Sequence, residues 1–422
     1  MAFSPTRRHR SSAEGIRTGP AGRDFFLLLA ATLGTFSNYA PLLSVAPLWS
    51  AEGGSGYTAV GAATGVTMAT TVGVQLCMSW LLKRLSLRRM LIIGSLLLGL
   101  PTFVYPVSAA MDWVLAVSAV RGVGFGMVAV AGSALVAELI PADSRGRAVG
   151  WYGIAVGLPQ VVCLPLGVWA AEHIGFTAVF VTAGVLSVLA APLAAAIRVP
   201  APAGPGRPRP RPRTGPVQLR AVSRPFTVLI TTACALGAVT SFLPLALAQP
   251  SAATPALFLL TGAVIVGRWV AGIVSDRSGV GRLMGPSVLA CAVGMGGFGL
   301  AAAHPGGAAA VSGAAAVIYG LGFGALQNDT LVLMFQRSGP NGHGMASTLW
   351  NMAYDAGTGA GAVAVGLTSY ALGIDGAFAA AATLILLVVP LAFRDARSGR
   401  LAASASASAQ GHSAETTARK RQ

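Results

Sequence analysis

Charge is scarce in this sequence. Asp, Glu, Lys and Arg make up 10% of its 422 residues, where a soluble domain carries about 25%. That shortage excludes an ordinary soluble fold. Lysine occurs only at Lys83 and Lys420; arginine in its place, with the Ala, Gly and Pro bias, points to a GC-rich bacterial genome. Cysteine is limited to Cys77, Cys163, Cys234 and Cys291. All lie in apolar stretches without CxxC or metal-ligand spacing, so they read as small packing residues. The five histidines are scattered and form no ligand set. No P-loop is present, which argues against ATP as a driving force, and no Ser/His/Asp or Cys/His arrangement lies at one depth. Gly122-x-Gly124-x-Gly126 follows an apolar run rather than a strand, so it is no dinucleotide loop. Neither an enzyme, a metal nor a cofactor is expected. Aromatics are few, at 7%, and give no sugar-binding signature.

What the chain does have is long uncharged apolar runs. Each is about the 20 residues a helix needs to cross the hydrocarbon layer of a bilayer. Twelve spans are expected: Phe25–Pro47, Thr58–Leu82, Met90–Ala109, Trp113–Ile140, Ala148–Ala170, Phe176–Ile197, Phe226–Leu247, Pro255–Ser275, Leu283–Ala303, Ala308–Phe335, Met345–Leu372 and Ala377–Phe393. The polar stretch before Phe25 is too long for a signal n-region, so the first span is read as retained.

The basic residues orient these spans. With the N-terminus in the cytoplasm, 27 of the 29 Lys and Arg fall on the cytoplasmic side. The other two, Arg121 and Arg268, lie within spans. The outer loops hold Glu52, Asp112, Glu172 and Asp375 instead. This is the positive-inside pattern. It accounts for the net charge of +16 through topology and anionic lipid, with no need for nucleic acid. Both termini are expected in the cytoplasm of a bacterium, and the chain is expected to be a monomer.

Residues 1–24 read as an N-terminal tail, 25–198 as one bundle of six helices, and 225–394 as a second. Between them Val199–Arg224, with its run Arg207-Pro-Arg-Pro-Arg-Pro-Arg213, reads as a stiff extended linker. Residues 395–422 read as a disordered tail. The two bundles match in sequence. Gly34-Thr-Phe-Ser-Asn-Tyr-Ala-Pro41 aligns with Gly237-Ala-Val-Thr-Ser-Phe-Leu-Pro244, and Gly122-Val-Gly-Phe-Gly126 with Gly320-Leu-Gly-Phe-Gly324. The expected fold is therefore an all-α membrane protein of twelve helices, built as two parallel six-helix repeats, an architecture that allows alternating access about a central cavity.

One loop is sharper still. Gly272-Ile-Val-Ser-Asp276-Arg277-Ser-Gly279-Val-Gly-Arg282 resembles the G-x-x-x-D-R-x-G-x-x-R loop motif of the major facilitator superfamily. The resemblance implies a gate at which the glycines allow close helix approach and Asp276 caps and ion-pairs, with Arg268 as a structural or gating partner nearby. The first-half copy is degenerate: Ser79-Trp-Leu-Leu-Lys83-Arg84-Leu-Ser86-Leu-Arg88-Arg89 has Lys at the Asp position and Ser at both Gly positions. Arg121-Gly-Val-Gly-Phe-Gly126 resembles the family's span-4 motif, linked there to proton coupling. Gly153-x3-Gly157-x-Pro159 loosely resembles the span-5 motif of exporters. The resemblance implies a proton-driven, drug:proton antiporter-like efflux carrier.

Ionisable groups at membrane depth cost about 2.5–3.5 kcal/mol to insert, so each is a functional candidate. Arg121 reads as a coupling residue or as a structural Arg held by carbonyls. Asp355, with Asn351 one turn before it on the same face, reads as a proton carrier, since desolvation favours a neutral carboxyl, or as an Asp fixed by an unseen partner. Asp329, after Gln327 and Asn328, reads as a cavity group or as an ion pair near the inner gate. Asn38 and Gln75 read as substrate contacts or as interhelical hydrogen bonds. The leading expectation is proton-coupled export of a small organic molecule. Import by symport or facilitated diffusion, and a non-transporting membrane receptor or assembly factor, stay open.

Overall fold

A backbone in hydrocarbon can satisfy its polar groups only within its own segment, so apolar runs of this length fold as helices. The computed structural model describes residues 22–140, 145–198, 216–247, 250–304, 308–338 and 343–394. Eleven of its helices are long and apolar enough to cross a membrane, and no strand occurs among the described residues. They are built on α1 (Arg23–Glu52), α2 (Tyr57–Leu76), α3 (Leu87–Gly99, with the 3₁₀ helix that follows it to Val107), α4 (Met111–Leu139), α5 (Arg145–His173), α6 (Phe176–Ala195), α7 (Pro216–Ala246), α8 (Thr254–Ser278), α9 (Met284–Ala303), α10 (Ala308–Ser338) and α11 (His343–Leu387). Large apolar side chains such as Leu189, Trp269, Val293 and Leu387 point away from the protein, a coat that suits lipid and that soluble proteins avoid.

Three departures from the expected spans have local causes. The third span leaves α-helical geometry at Leu100 and continues to Val107 as a 3₁₀ helix. Pro101 and Pro106 lack the N–H groups that an α-helical ladder there would use. α7 begins at Pro216, so residues 216–224 are helical and not extended; proline suits the first turn of a helix, where its missing donor is not needed. The rest of the expected linker and the C-terminal tail lie outside the described residues. The two expected spans Met345–Leu372 and Ala377–Phe393 form one 45-residue element whose helical dihedrals break at Gly373, with φ 72° and ψ 169°. The parts on either side of Gly373 have different neighbours. Before it, Gly361 lies against Cys234 of α7; after it, Phe378 packs on Phe298 of α9.

Helices α1–α6 pack largely on one another, as do α7–α11, but α2 packs more extensively on α11 than on any helix of its own group. The glycine runs set the closest approaches. A Cβ at Gly122 would meet Thr67, and one at Gly126 would meet Thr71, both on α2; one at Gly124 would meet Gly94 and Leu98 on α3. Thr71 Oγ1 also donates to the Gly122 carbonyl at 2.9 Å. In α10, Gly320 and Gly324 abut Leu260 and Val264 of α8, while Gly322 abuts Ser287 and Cys291 of α9. The aligned Gly34 and Gly237 do not share a role: the first abuts α6 and the second abuts Thr358 of α11.

The two groups of helices meet most closely at the end where α1 and α7 finish and α2 and α8 begin. There Ser44 Oγ donates to the Thr240 carbonyl at 2.5 Å, and the hydroxyls of Thr64 and Ser241 lie 2.9 Å apart. The Tyr57 and Phe242 rings meet edge to face, and Glu172 accepts from the Ser251 amide at 2.5 Å. At the opposite end, among the described residues, α4 has no comparable contact with α10 or α11.

Candidate functional site

The deepest polar cluster is built around Arg121 of α4, which is 2% exposed. Its Nε donates to Thr102 Oγ1 at 3.2 Å, its Nη1 to Tyr105 Oη at 3.3 Å and its Nη2 to Asn38 Oδ1 at 3.1 Å. The 3₁₀ turn explains two of these partners. Side chains three apart eclipse in a 3₁₀ helix, so Thr102 and Tyr105 present one polar face to α4. Asn38 of α1 closes the ring by donating to Thr102 at 3.1 Å. Thr102 in turn donates to the Leu98 carbonyl, and the Tyr105 hydroxyl pairs with Ser118 at 2.9 Å. The guanidinium also lies over the Tyr105 ring, 5.5 Å from its centroid. Every one of these partners is uncharged.

Beside Arg121 is a narrow cavity between α1, α2 and α4, with room for about one water molecule. Its wall is largely aliphatic, from Leu42, Leu43, Ala46 and Ala63, with Tyr39, Thr64 and Thr67 as polar points. Tyr39 is fixed by stacking on Phe125, with centroids 3.6 Å apart and planes at 2°. It lies within Coulombic reach of both Arg121 and Asp355.

Asp355 of α11 is 5% exposed and accepts from Gln75 Nε2 of α2 at 2.6 Å. This bond joins a C-terminal helix to an N-terminal one. Gln75 Oε1 is buried and has no partner among the described residues. The expected neighbour Asn351 is not bonded to Asp355. Its amide donates instead to the Ser347 carbonyl one turn back, at 2.9 Å, the local bond that a polar side chain inside a helix commonly makes.

Asp329 of α10 stands apart from this pair. It is 1% exposed and accepts from Ser275 Oγ at 3.0 Å, and the amides of Gly281 and Leu283 in the following loop approach it. Asn328 lies beside it, its side chain approaching the same carboxylate. Asp329 is thus tied to the loop motif rather than to the Arg121 pocket. Within that motif the glycines do not act by close packing: a Cβ at Gly272 or Gly279 would meet nothing within 4 Å. Gly279 instead ends α8 with φ 88°, a left-handed conformation that a side chain resists. Arg277 and Arg282 are exposed, and the Asp276 side chain lies outside the described residues. Arg268 sits in α8 beside Gly324 of α10 and within Coulombic reach of Tyr354 on α11. Its contact with Gly324 is through the backbone, and the side chain is exposed.

Thr102, Tyr105, Tyr39 and Ser275 escaped the sequence reading. Tyr39 and Ser275 lie inside motifs read for other residues; Thr102 and Tyr105 carry no motif, though the two prolines around them mark an irregular turn.

A family model described as Major Facilitator Superfamily matches residues 26–362. Two proteins described as uncharacterized MFS-type transporters, from Mycobacterium tuberculosis strains CDC 1551 / Oshkosh and ATCC 25618 / H37Rv, are each 32% identical over 114 residues. Those stretches cover 26% of this chain and 16% of each relative, so the match spans under a fifth of the relatives' length. Among solved structures, a bacterial homolog to human lysosomal transporter Spinster, inward-facing and occupied, superposes with TM-score 0.70 at 15% identity, covering 88% of this chain and 96% of that one. The nucleoside transporter NupG superposes with TM-score 0.67 at 11% identity, covering 88% and 98%.

Proposed function

The chain belongs to the major facilitator superfamily, and from that premise we propose that it is a secondary active transporter that exports a small organic molecule in exchange for protons by alternating access. The membrane is the bacterial cytoplasmic one, with both termini inside. The fold shared with a Spinster homologue and with a nucleoside transporter supports a small-molecule cargo.

Two features support twelve spans in two repeats. A 45-residue helical element is roughly 65 Å long at 1.5 Å per residue, about twice the hydrocarbon thickness; a turn at Gly373 makes it two spans. The glycines of α4 and α10 also do equivalent work, each run wedging its helix between the two preceding it. On the orientation set by the basic residues, the tightly met end is the outer one, which supports a molecule closed outside and open to the cytoplasm.

One observation carries the proton-coupled reading. The Gln75–Asp355 bond places a buried titratable group on the boundary that must rearrange when the two groups of helices rock. A carboxyl whose proton comes and goes there links protonation to that rearrangement. Asp355 is the carrier in this reading, because Arg121 stays charged. The loose span-5 resemblance supports export. Uptake together with protons is a second reading, favoured by the buried Arg121 without a counter-charge: an anion and a proton entering together leave the site's charge unchanged.

The test is proton movement. Proteoliposomes holding a pH-reporting dye and a preset proton gradient are challenged with a panel of small organic compounds. Dissipation of the gradient by compounds on the side that exchange requires is expected. Flux that ignores the gradient would remove the coupling, and absence of flux for every compound that binds would remove transport.

A further inference from the structure

We propose that the segment joining α2 to α3 binds the head group of an anionic phospholipid, which takes the place of acids that this half of the molecule lacks. The site lies at the lipid boundary and stands whatever the direction or coupling of transport.

The two repeats differ at the loops that close them. In the second half the loop after α8 is held from inside: Asp329 accepts from Ser275, and the amides of Gly281 and Leu283 approach it. Carrying the glycine alignment of α4 and α10 forward places Ala131 against Asp329. The loop alignment places Leu82 against Ser275 and Lys83 against Asp276. Ala131 is buried and Leu82 is exposed. Both acids of the second half are therefore missing from the first, and a cation stands in place of one of them. What remains is a cluster of one sign. Lys83, Arg84, Arg88 and Arg89 are all exposed, and among the described residues no carboxylate pairs with any of them. Only Arg88 is partly used, donating to the Ile197 carbonyl at 3.2 Å. Like charges this close together repel unless an anion lies among them.

The surroundings of the cluster fit a lipid rather than a soluble anion. At the end of the membrane-length helix α2, Leu76 is 66% exposed and Trp80 56%. Met78–Leu81 form a helical turn, and the Lys83 and Arg84 amides bond back to the carbonyls of Trp80 and Leu81. The chain stays coiled there, so Leu76, Trp80 and Arg84, four residues apart, share one side. The Arg84 guanidinium lies over the Trp80 ring, 5.0 Å from its centroid. This side runs from apolar to aromatic to cationic, the order in which a leaflet runs from acyl chain through interface to head group. A phospholipid laid along it puts an acyl chain against Leu76, its glycerol beside Trp80 and its phosphate on Arg84 and Lys83. The second-half loop keeps its own acids and has no such need.

The experiment counts lipids on the full chain in a neutral detergent by native mass spectrometry. Dioleoylphosphatidylglycerol and dioleoylphosphatidylcholine are the probes. The first phosphatidylglycerol should bind about tenfold or more tightly than phosphatidylcholine. Lys83→Asp, which restores the acid that the second half keeps, should remove that preference, and Lys83→Arg should retain it. Trp80→Ala should weaken phosphatidylglycerol binding several-fold with every charge in place. Arg277→Gln in the second-half loop should leave the preference unchanged. Thermal midpoints matching the parent protein establish that each variant is folded. Equal losses from Lys83→Asp and Arg277→Gln would overturn the proposal, because they would mean a diffuse basic face and not this segment. So would phosphatidylglycerol binding that Lys83→Asp leaves untouched. Displacement of the lipid by millimolar glycerol phosphate would give the cluster to a soluble anion and overturn the lipid assignment.

Discussion

Gln75 donates its side-chain amide to Asp355 at 2.6 Å, across the line where the N-terminal helices meet the C-terminal ones. Only one of the amide's two polar atoms is used, since Gln75 Oε1 is buried without a partner among the described residues. An ionised carboxylate only accepts, whereas a protonated one also donates. The neutral pair can therefore form two hydrogen bonds where the ionised pair forms one charge-assisted bond, so the proton changes how the two groups of helices are joined.

Asp355→Asn tests this relationship directly. Asn offers an acceptor and a donor, as the protonated acid does. The variant should keep downhill exchange of a compound found in the dye assay and lose uphill, gradient-driven accumulation altogether. Asp329→Asn serves as the ranking control. If it loses accumulation while Asp355→Asn retains it, the proton travels on Asp329.

Ser275→Ala removes the hydroxyl that ties Asp329 of α10 to the end of α8. Transport should slow several-fold while equilibrium binding of the same compound stays within a few-fold, because the pair lies away from the pocket. Binding lost in step with transport would place this pair in the substrate site.

The glycine contacts predict a contrast in stability. At Gly322 a Cβ would strike the Ser287 backbone of α9, whereas at Gly296 it would meet nothing within 4 Å. Gly322→Ala should lower stability by about 1–3 kcal/mol through overpacking. Gly296→Ala should be neutral or gain up to about 1 kcal/mol from helix propensity. Thermal unfolding of the two variants in one detergent reads the difference; equal midpoints would mean that α9 and α10 are not packed through Gly322.

Sidedness is read by thiol labelling of intact cells. In a background with the four native cysteines replaced, Cys at Ser55 should react with an impermeant reagent from outside, and Cys at Gly204 should react only after lysis. Labelling of Gly204 from outside would reverse the orientation drawn from the arginines.

The helices were legible in the sequence because lipid leaves an uncharged run of this length no other fold. Their ends were less so. Pro101 and Pro106 convert the close of the third span to 3₁₀ geometry, and Pro216 starts a helix where the Pro-Arg run before it reads as extended. The buried groups were legible one at a time, since Arg121, Asp355, Asp329, Asn38 and Gln75 all stand out against apolar neighbours. Their partnerships were not. Asn38 meets Arg121 and Gln75 meets Asp355 through tertiary packing of distant helices, while the local rule that set Asn351 beside Asp355 lost to a bond with the Ser347 carbonyl. Ser275 sits inside a recognisable motif, yet its bond to Asp329 depends on how α8 lies on α10.

The end of the molecule at which α1 and α7 finish is held by hydroxyl, carbonyl and ring contacts, together with one carboxylate accepting from a backbone amide. None of these is an ion pair. Dissolved salt weakens attraction between opposite charges, over about 10 Å at 0.1 M, and has little purchase on neutral contacts. Opening at this end should therefore proceed at nearly the same rate in dilute and in concentrated electrolyte.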